Sequence, residues 1–244
     1  MSTLLRLENL SVDHRLAPVT LQVARGECIG LIGRNGSGKT TLLRAVIGAV
    51  PTRGLCDLHA VPVALRPRHV AYMAQARDLV WPISVADCVA LGLGRRTAEA
   101  PARVAAALRA VGLATFAARP VDRLSGGEKA AVLLARALVQ DAPLLLADEP
   151  VAALDPAQAI RCLRLLRAKA DAGGAVITSL HDLPSAAQFC TRLIVMEQGR
   201  ILADGPPDVL FANGLVSDAF GIDLAPVAVG TGTRWIVTGR PDAA

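Results

Sequence analysis

With 244 residues and 52% hydrophobic content, the chain can build one large α/β domain or two small ones, yet no apolar run is long enough to span a membrane. The formal charge of +5 (26 Lys and Arg against 21 Asp and Glu) is scattered, and aromatics make up only 3%; base-stacking platforms are scarce and no nucleic-acid partner is expected. Five cysteines, Cys28, Cys56, Cys88, Cys162 and Cys190, form no C-x-x-C pair and read as small buried thiols of a reducing compartment, which disfavours a disulfide framework or a metal site. The N-terminus lacks the basic-then-apolar layout of a signal peptide, so a cytoplasmic protein is expected, with a basic surface suited to a membrane partner or acidic lipid.

The first 32 residues are β-rich. Alternating apolar and polar residues predict strands over 5–12 and 19–23. Arg25-Gly26-Glu27 then turns the chain into an apolar run, Cys28–Ile32, that reads as a buried strand. The next nine residues, Gly33-Arg34-Asn35-Gly36-Ser37-Gly38-Lys39-Thr40-Thr41, fit the phosphate-loop pattern G-x-x-x-x-G-K-[ST]. Residues 41–47 continue as a helix with one apolar face. In such a loop the glycines turn backbone N–H groups around a phosphate and the helix start adds its positive dipole end. The Lys39 ammonium reaches the β- and γ-phosphates, and the Thr40 hydroxyl suits Mg²⁺.

Residues 51–67 are turn-rich and irregular, and Val70–Met73 reads as a short strand with Gln75 just beyond it. Helices are predicted over 85–91, 101–111 (with Pro101 in the first turn) and 128–139, which makes residues 76–140 a candidate inserted helical subdomain. Leu144–Ala147 is a buried strand that ends in Asp148-Glu149. A helix over 156–172 carries Ile160, Leu163 and Leu166 on one side, and Arg161, Arg164 and Arg167 on a solvated face. Residues 175–178 form another buried strand, leading to Ser179-Leu180-His181-Asp182. Residues 192–197 and 200–204 form a hairpin around Gln198-Gly199. The C-terminal extension, 205–244, is less regular, with one strand at 234–237.

Several of these residues carry chemistry by placement alone. Asp148, at a strand end beside the phosphate loop, is placed to hold Mg²⁺; Glu149, one residue on, need not bind metal. Leu124-Ser125-Gly126-Gly127-Glu128 sets a hydroxyl and glycine N–H groups at a helix start, which makes either an anion-binding device or a plain cap. A lone histidine is as a rule structural, but the strand-end position of His181 suits a switch role.

Taken in order, the 33–41 loop, Gln75, Ser125-Gly126-Gly127, Asp148-Glu149-Pro150, Ala153-Leu154-Asp155 and His181 resemble the nucleotide-binding subunit of ATP-binding cassette (ABC) transporters across essentially the whole chain. The resemblance implies a single α/β domain: a RecA-like P-loop NTPase core with an antiparallel β-subdomain and the inserted helical subdomain. It implies ATP and Mg²⁺ as cofactors, and ATP hydrolysis coupled to translocation. Glu149 would be the general base, His181 the γ-phosphate contact, and Gln75 the link to Mg²⁺, water and the membrane partner. Ser125, Gly126, Gly127 and Glu128 would bind the γ-phosphate held by a second copy's loop, with Asp155 across the seam of a head-to-tail homodimer.

The sequence departs from that family in two places. Glu128-Lys129-Ala130-Ala131 stands where Gln followed by Gln-Arg is usual, which is expected to weaken polar contacts behind the signature. No aromatic is available to stack on adenine in residues 13–18; His14 is the nearest planar group and either stacks or is a plain surface histidine.

A single cassette without a fused membrane domain resembles bacterial importer subunits, which sit on the cytoplasmic face of the inner membrane. They work with separate permease subunits and, indirectly, a substrate-binding protein. Residues 82–92, 217–222 and 235–237 resemble the haem, ferric-siderophore and cobalamin importers. Zinc or manganese import, a soluble non-transport ATPase and a non-hydrolytic regulator are the alternatives. Leu79-Val80-Trp81-Pro82-Ile83 carries bulky apolar groups where the family docks its permease, unless Trp81 is simply core.

Overall fold

The computed structural model describes residues 2–75, 79, 81–94, 97–152, 154–229 and 232–239. Val80 and Ala153 therefore lie outside the described residues. Strands β1 (Thr3–Val12), β2 (Leu16–Ala24) and β3 (Cys28–Ile32) lead into helix α1 (Lys39–Ile47), then β4 (Arg53–Cys56) and β5 (Val70–Met73). Three helices follow, α2 (Val85–Ala90), α3 (Ala100–Ala110) and α4 (Gly126–Val139). The chain then returns to strand β6 (Leu144–Ala147), helix α5 (Pro156–Asp171), β7 (Ala175–Ser179), α6 (Leu183–Phe189) and the hairpin β8 (Arg192–Glu197) and β9 (Arg200–Gly205). Helices α7 (Pro207–Ala212) and α8 (Leu215–Phe220) precede a last hairpin, β10 (Asp223–Val229) and β11 (Gly232–Gly239).

The six-stranded sheet runs β5-β6-β7-β3-β8-β9, parallel except for the β9 edge. Both of its faces are covered, which is why its central strands read as continuous apolar runs. On one face Cys28, Ile32, Met73, Leu145, Val176, Leu193 and Val195 join the core made with α2–α6. On the other, Ile29, Leu31, Leu144, Leu146, Ile177 and Ile194 meet α1 and the antiparallel sheet β2-β1-β4. No helix among the described residues is long and apolar enough to cross a membrane. All five cysteines are buried, and none forms a disulfide among the described residues.

Several local expectations change. The alternation predicted over 5–12 breaks at Asn9 (φ 50), where a register shift between Leu7 and Leu10 lets both leucines face the core. The stretch expected to be irregular after α1 contains β4, paired to β1 although three of its four residues are exposed. Ile160 is 41% exposed, so the buried face of α5 is built from Cys162, Leu163 and Leu166 without it. Residues 207–229 and 232–239 are more regular than expected. They are anchored by Trp235, which meets Phe211 edge-on with ring centroids 5.4 Å apart and donates its indole N–H to Asp208 Oδ1 (3.1 Å).

Arg192 ties three elements together: it bonds Asp204 through two nitrogens (both 2.6 Å), Glu27 (3.0 Å) and the Gln22 carbonyl (3.0 Å). The Asp204 and Glu27 carboxylates hold its guanidinium pKa above the usual arginine value. Arg192→Ala strands both acids, and is expected to cost about 2–3 kcal/mol, read as a melting temperature lower by about 5–10 °C.

Candidate nucleotide site

The site begins where β3 ends. All five residues of that strand are buried, and the chain leaves it directly into the 33–41 loop. Gly38 occupies the N-cap of α1 at φ 102, a left-handed conformation that strains any residue with a side chain. Two turns brace the loop from behind: the Gly199 N–H donates to Ser37 O (3.0 Å), and the Ala17 N–H donates to Gly199 O (2.9 Å). A Cβ at Gly33 would collide with the Met196 carbonyl, so the loop is closed on that side by backbone. Lys39 is 5% exposed, and its ammonium donates to Gly33 O (2.7 Å) and Arg34 O (3.1 Å). Burial pushes its pKa down, while Glu149 and Asp148 pull it back up.

The acids arrive from β6. Asp148 is completely buried; its backbone N–H donates to Met73 O (2.9 Å), and Oδ1 accepts from Thr40 Oγ1 (3.1 Å) and Ser179 Oγ (2.8 Å). Glu149 takes φ 48 and donates its backbone N–H to the same Ser179 Oγ (2.7 Å). Its carboxylate is clasped on both sides: Gln75 Nε2 donates to Oε2 (2.8 Å), and His181 Nε2 lies 2.6 Å from Oε1. Gln75, Glu149 and His181 line an open cleft of about 850 Å³, with His14, Arg15, Asn35, Gly36, Ser37, Gly38, Lys39, Thr40, Thr41, Gln198 and Gly199 on its other walls.

The structure thus brings together the 33–41 loop, Gln75, Asp148, Glu149 and His181 as the sequence suggested. His14 is at the exposed rim with φ 61. Arg15, Gln198 and Gly199 at the cleft, and Ser179 beneath it, were missed. Gln198-Gly199 was legible as a turn, but nothing local places that turn against the phosphate loop. For Ser179 the available signal was a hydroxyl at the end of an apolar strand.

Ser125, Gly126, Gly127, Glu128 and Asp155 do not line this cleft. Ser125 caps α4, accepting from the Glu128 N–H (3.3 Å), while its own N–H donates to Glu128 Oε2 (2.7 Å). That N–H is the main cause holding the Glu128 carboxyl below its usual pKa, and Arg119 stands 3.7 Å away. The glutamate therefore closes a capping box directly onto the signature, where weaker polar contacts were expected. Ala130 is buried. Asp155 caps α5 by accepting from the Gln158 N–H (2.9 Å), and the Gln158 side chain packs where a Cβ at Gly127 would collide.

The donor set fits a hard divalent cation. Asp148 Oδ2 is buried without a hydrogen-bond partner among the described residues, and the Thr40 hydroxyl adjoins Oδ1. No cluster of three or more His, Cys, Asp or Glu side chains converges among the described residues.

A parallel sheet delivering a phosphate loop, a buried aspartate and an adjacent glutamate to one cleft defines a phosphate-loop nucleotide hydrolase fold. Within that class the chain belongs to the ABC transporter family, whose profile matches residues 16–152. The hemin import ATP-binding protein HmuV of Streptomyces coelicolor is 44% identical over 216 residues, covering 83% of this chain and 76% of the relative. The cobalamin import ATP-binding protein BtuD of Halobacterium salinarum is 40% identical over 228 residues, covering 88% of this chain and 56% of the relative. Among solved structures, an ATP-binding subunit of an ABC transporter aligns with a TM-score of 0.78 at 27% identity, covering 89% of this chain and 98% of the other. A chain from a structure presented as an inward-facing metal-chelate type ABC transporter shares the fold, with a TM-score of 0.85 at 21% identity and 98% of each chain covered.

Lys39→Ala removes the one buried cation on the cleft floor. It is expected to weaken binding of a fluorescent ATP analogue by ~100-fold, about 2.7 kcal/mol, with the far-UV circular dichroism unchanged.

Proposed function

We propose that this ABC-family ATPase is the energy-supplying subunit of an importer, and that it powers uptake of a metal chelate (haem, a ferric siderophore or cobalamin) through a separate permease. The observation that carries the hydrolytic part is the Glu149 carboxylate held between Gln75 and His181, beside the phosphate loop. The chelate part rests on the haem- and cobalamin-importing relatives, which also favour it over zinc or manganese import.

In this reading the loop N–H groups and Lys39 hold the phosphates of ATP. Thr40 and Asp148 would hold Mg²⁺, with Gln75 close by, and the ion would neutralise charge on the phosphate oxygens. Glu149 takes a proton from the attacking water as the water oxygen bonds to the γ-phosphorus and the bond to ADP breaks. His181 and Gln75 fix the carboxylate and the water; His181 also reaches the γ-phosphate. Ser125, Gly126 and Gly127 of a second copy cover that phosphate, with Asp155 at the seam, so a head-to-tail homodimer is the working unit. The exposure of Ser125, Gly126 and Asp155 outside their own cleft supports that assignment.

Transport is coupled through Gln75 to the permease on the cytoplasmic face of the membrane, and a substrate-binding protein delivers cargo from the other side. Trp81 (71% exposed) and Leu91 (60% exposed) support a docking site, next to a groove of about 460 Å³ lined in part by Tyr72, Met73, Leu79 and Leu133.

Glu149→Gln is expected to slow ATP turnover by at least about 100-fold while ATP is retained; unimpaired turnover would remove Glu149 as base. Affinity purification from the native host is expected to recover a multi-span permease, and vesicles of that complex should take up haem, a ferric siderophore or cobalamin on ATP addition. Uptake of zinc or manganese alone would overturn the chelate assignment.

A further inference from the structure

We propose that Ser179 is a positioning residue of the hydrolytic site, setting both acids through one hydroxyl; this rests on the assignment of Glu149 and Asp148 to hydrolysis. Ser179 ends β7, the strand between β6, which carries the acids, and β3, which carries the phosphate loop. It is completely buried and is not among the residues lining the cleft. Its hydroxyl donates to Asp148 Oδ1 (2.8 Å) and accepts from the Glu149 N–H (2.7 Å), so both its donor and an acceptor lone pair are used.

Each bond has a separate consequence. Thr40 and Ser179 both donate to Oδ1, which leaves the buried Oδ2 as the oxygen of Asp148 without a partner among the described residues. Ser179 therefore fixes, with Thr40, how the Asp148 carboxylate is turned. Glu149 stands at φ 48, a conformation that L residues with long side chains seldom adopt. A backbone N–H in such a setting needs a partner, and Ser179 supplies it. With that bond in place, the Glu149 carboxylate reaches both Gln75 and His181. A hydroxyl on this strand is not enough by itself. Thr178, one residue earlier, points to the opposite face, and its buried Oγ1 has no partner among the described residues.

The test compares Ser179→Ala, Ser179→Thr and Thr178→Val in the full chain, reading ATPase kinetics, ATP-analogue affinity and the Mg²⁺ concentration for half-maximal rate. Ser179→Ala is expected to lower kcat by about 10–100-fold, with KM for ATP and analogue affinity within about twofold of wild type. Its Mg²⁺ requirement should rise. Ser179→Thr keeps the hydroxyl and should recover most of kcat, and Thr178→Val should leave kcat unchanged. Should Ser179→Ala fail to fold, Ser179→Cys carries the same expectation, with similar volume and a weak donor. Wild-type kcat in the folded variant that lacks the hydroxyl would overturn the proposal, as would an equal loss in Thr178→Val. Glu149→Gln, run alongside, separates the two claims. Full turnover in Glu149→Gln overturns the hydrolytic reading itself, whereas full turnover in Ser179→Ala beside a slow Glu149→Gln overturns only the role of Ser179.

Discussion

The cleft depends on the order in which the sheet lays its strands. Four parallel strands lie side by side as β5-β6-β7-β3, and their carboxyl ends deliver Gln75, Asp148 with Glu149, Ser179 with His181, and the phosphate loop. Cleft residues drawn from four distant stretches of sequence meet because the strands are hydrogen-bonded in that order. The burial of both sheet faces fixes the register, since a one-residue slip would turn each apolar set into the wrong core. Core packing and site geometry are therefore one constraint. A change that loosens β6 or β7 moves Glu149 relative to Lys39 even though it touches neither.

Around that framework the polar groups are arranged by mutual restraint. Asp148 is held by Thr40 of the loop and Ser179 of the neighbouring strand, and Glu149 by Ser179, Gln75 and His181. Lys39 is buried and turned onto loop carbonyls, and the two acids beside it oppose the downward push of burial on its pKa. Outside the cleft the helix starts are built differently. There Ser125 and Asp155 each cap a helix, and Gln158 joins the two helix starts by packing on Gly127. The start of α4 at Ser125 and the start of α5 at Asp155 are thus in contact through Gln158.

Much of this was legible in the sequence because the informative residues sit at element ends. Gly33 to Thr41, Asp148-Glu149 and His181 each follow a short apolar run, so the strand, its end and the chemistry are read in one stroke. What escaped was set by contacts distant in sequence. β4 has mostly exposed residues and exists because β1 pairs with it. The kink at Asn9 and the exposure of Ile160 depend on register and on neighbouring layers, not on local periodicity. Gln198-Gly199 was visible as a turn, but its bond to Ser37 joins residues far apart along the chain. The capping box of Ser125 and Glu128 was open to reading from its S-x-x-E spacing, and was passed over because the same residues also suit anion binding.

The central claim is that one chain holds half a site, completed by the signature of a second copy. Mixing two inactive variants tests it most directly. Lys39→Ala disables a chain's phosphate loop and Ser125→Arg its signature, so each homodimer lacks both working sites. In the mixed dimer one site combines an intact loop with an intact signature. The account predicts that neither variant hydrolyses ATP alone and that the mixture regains activity. A mixture as silent as its components, with mixed dimers shown to form, would contradict it.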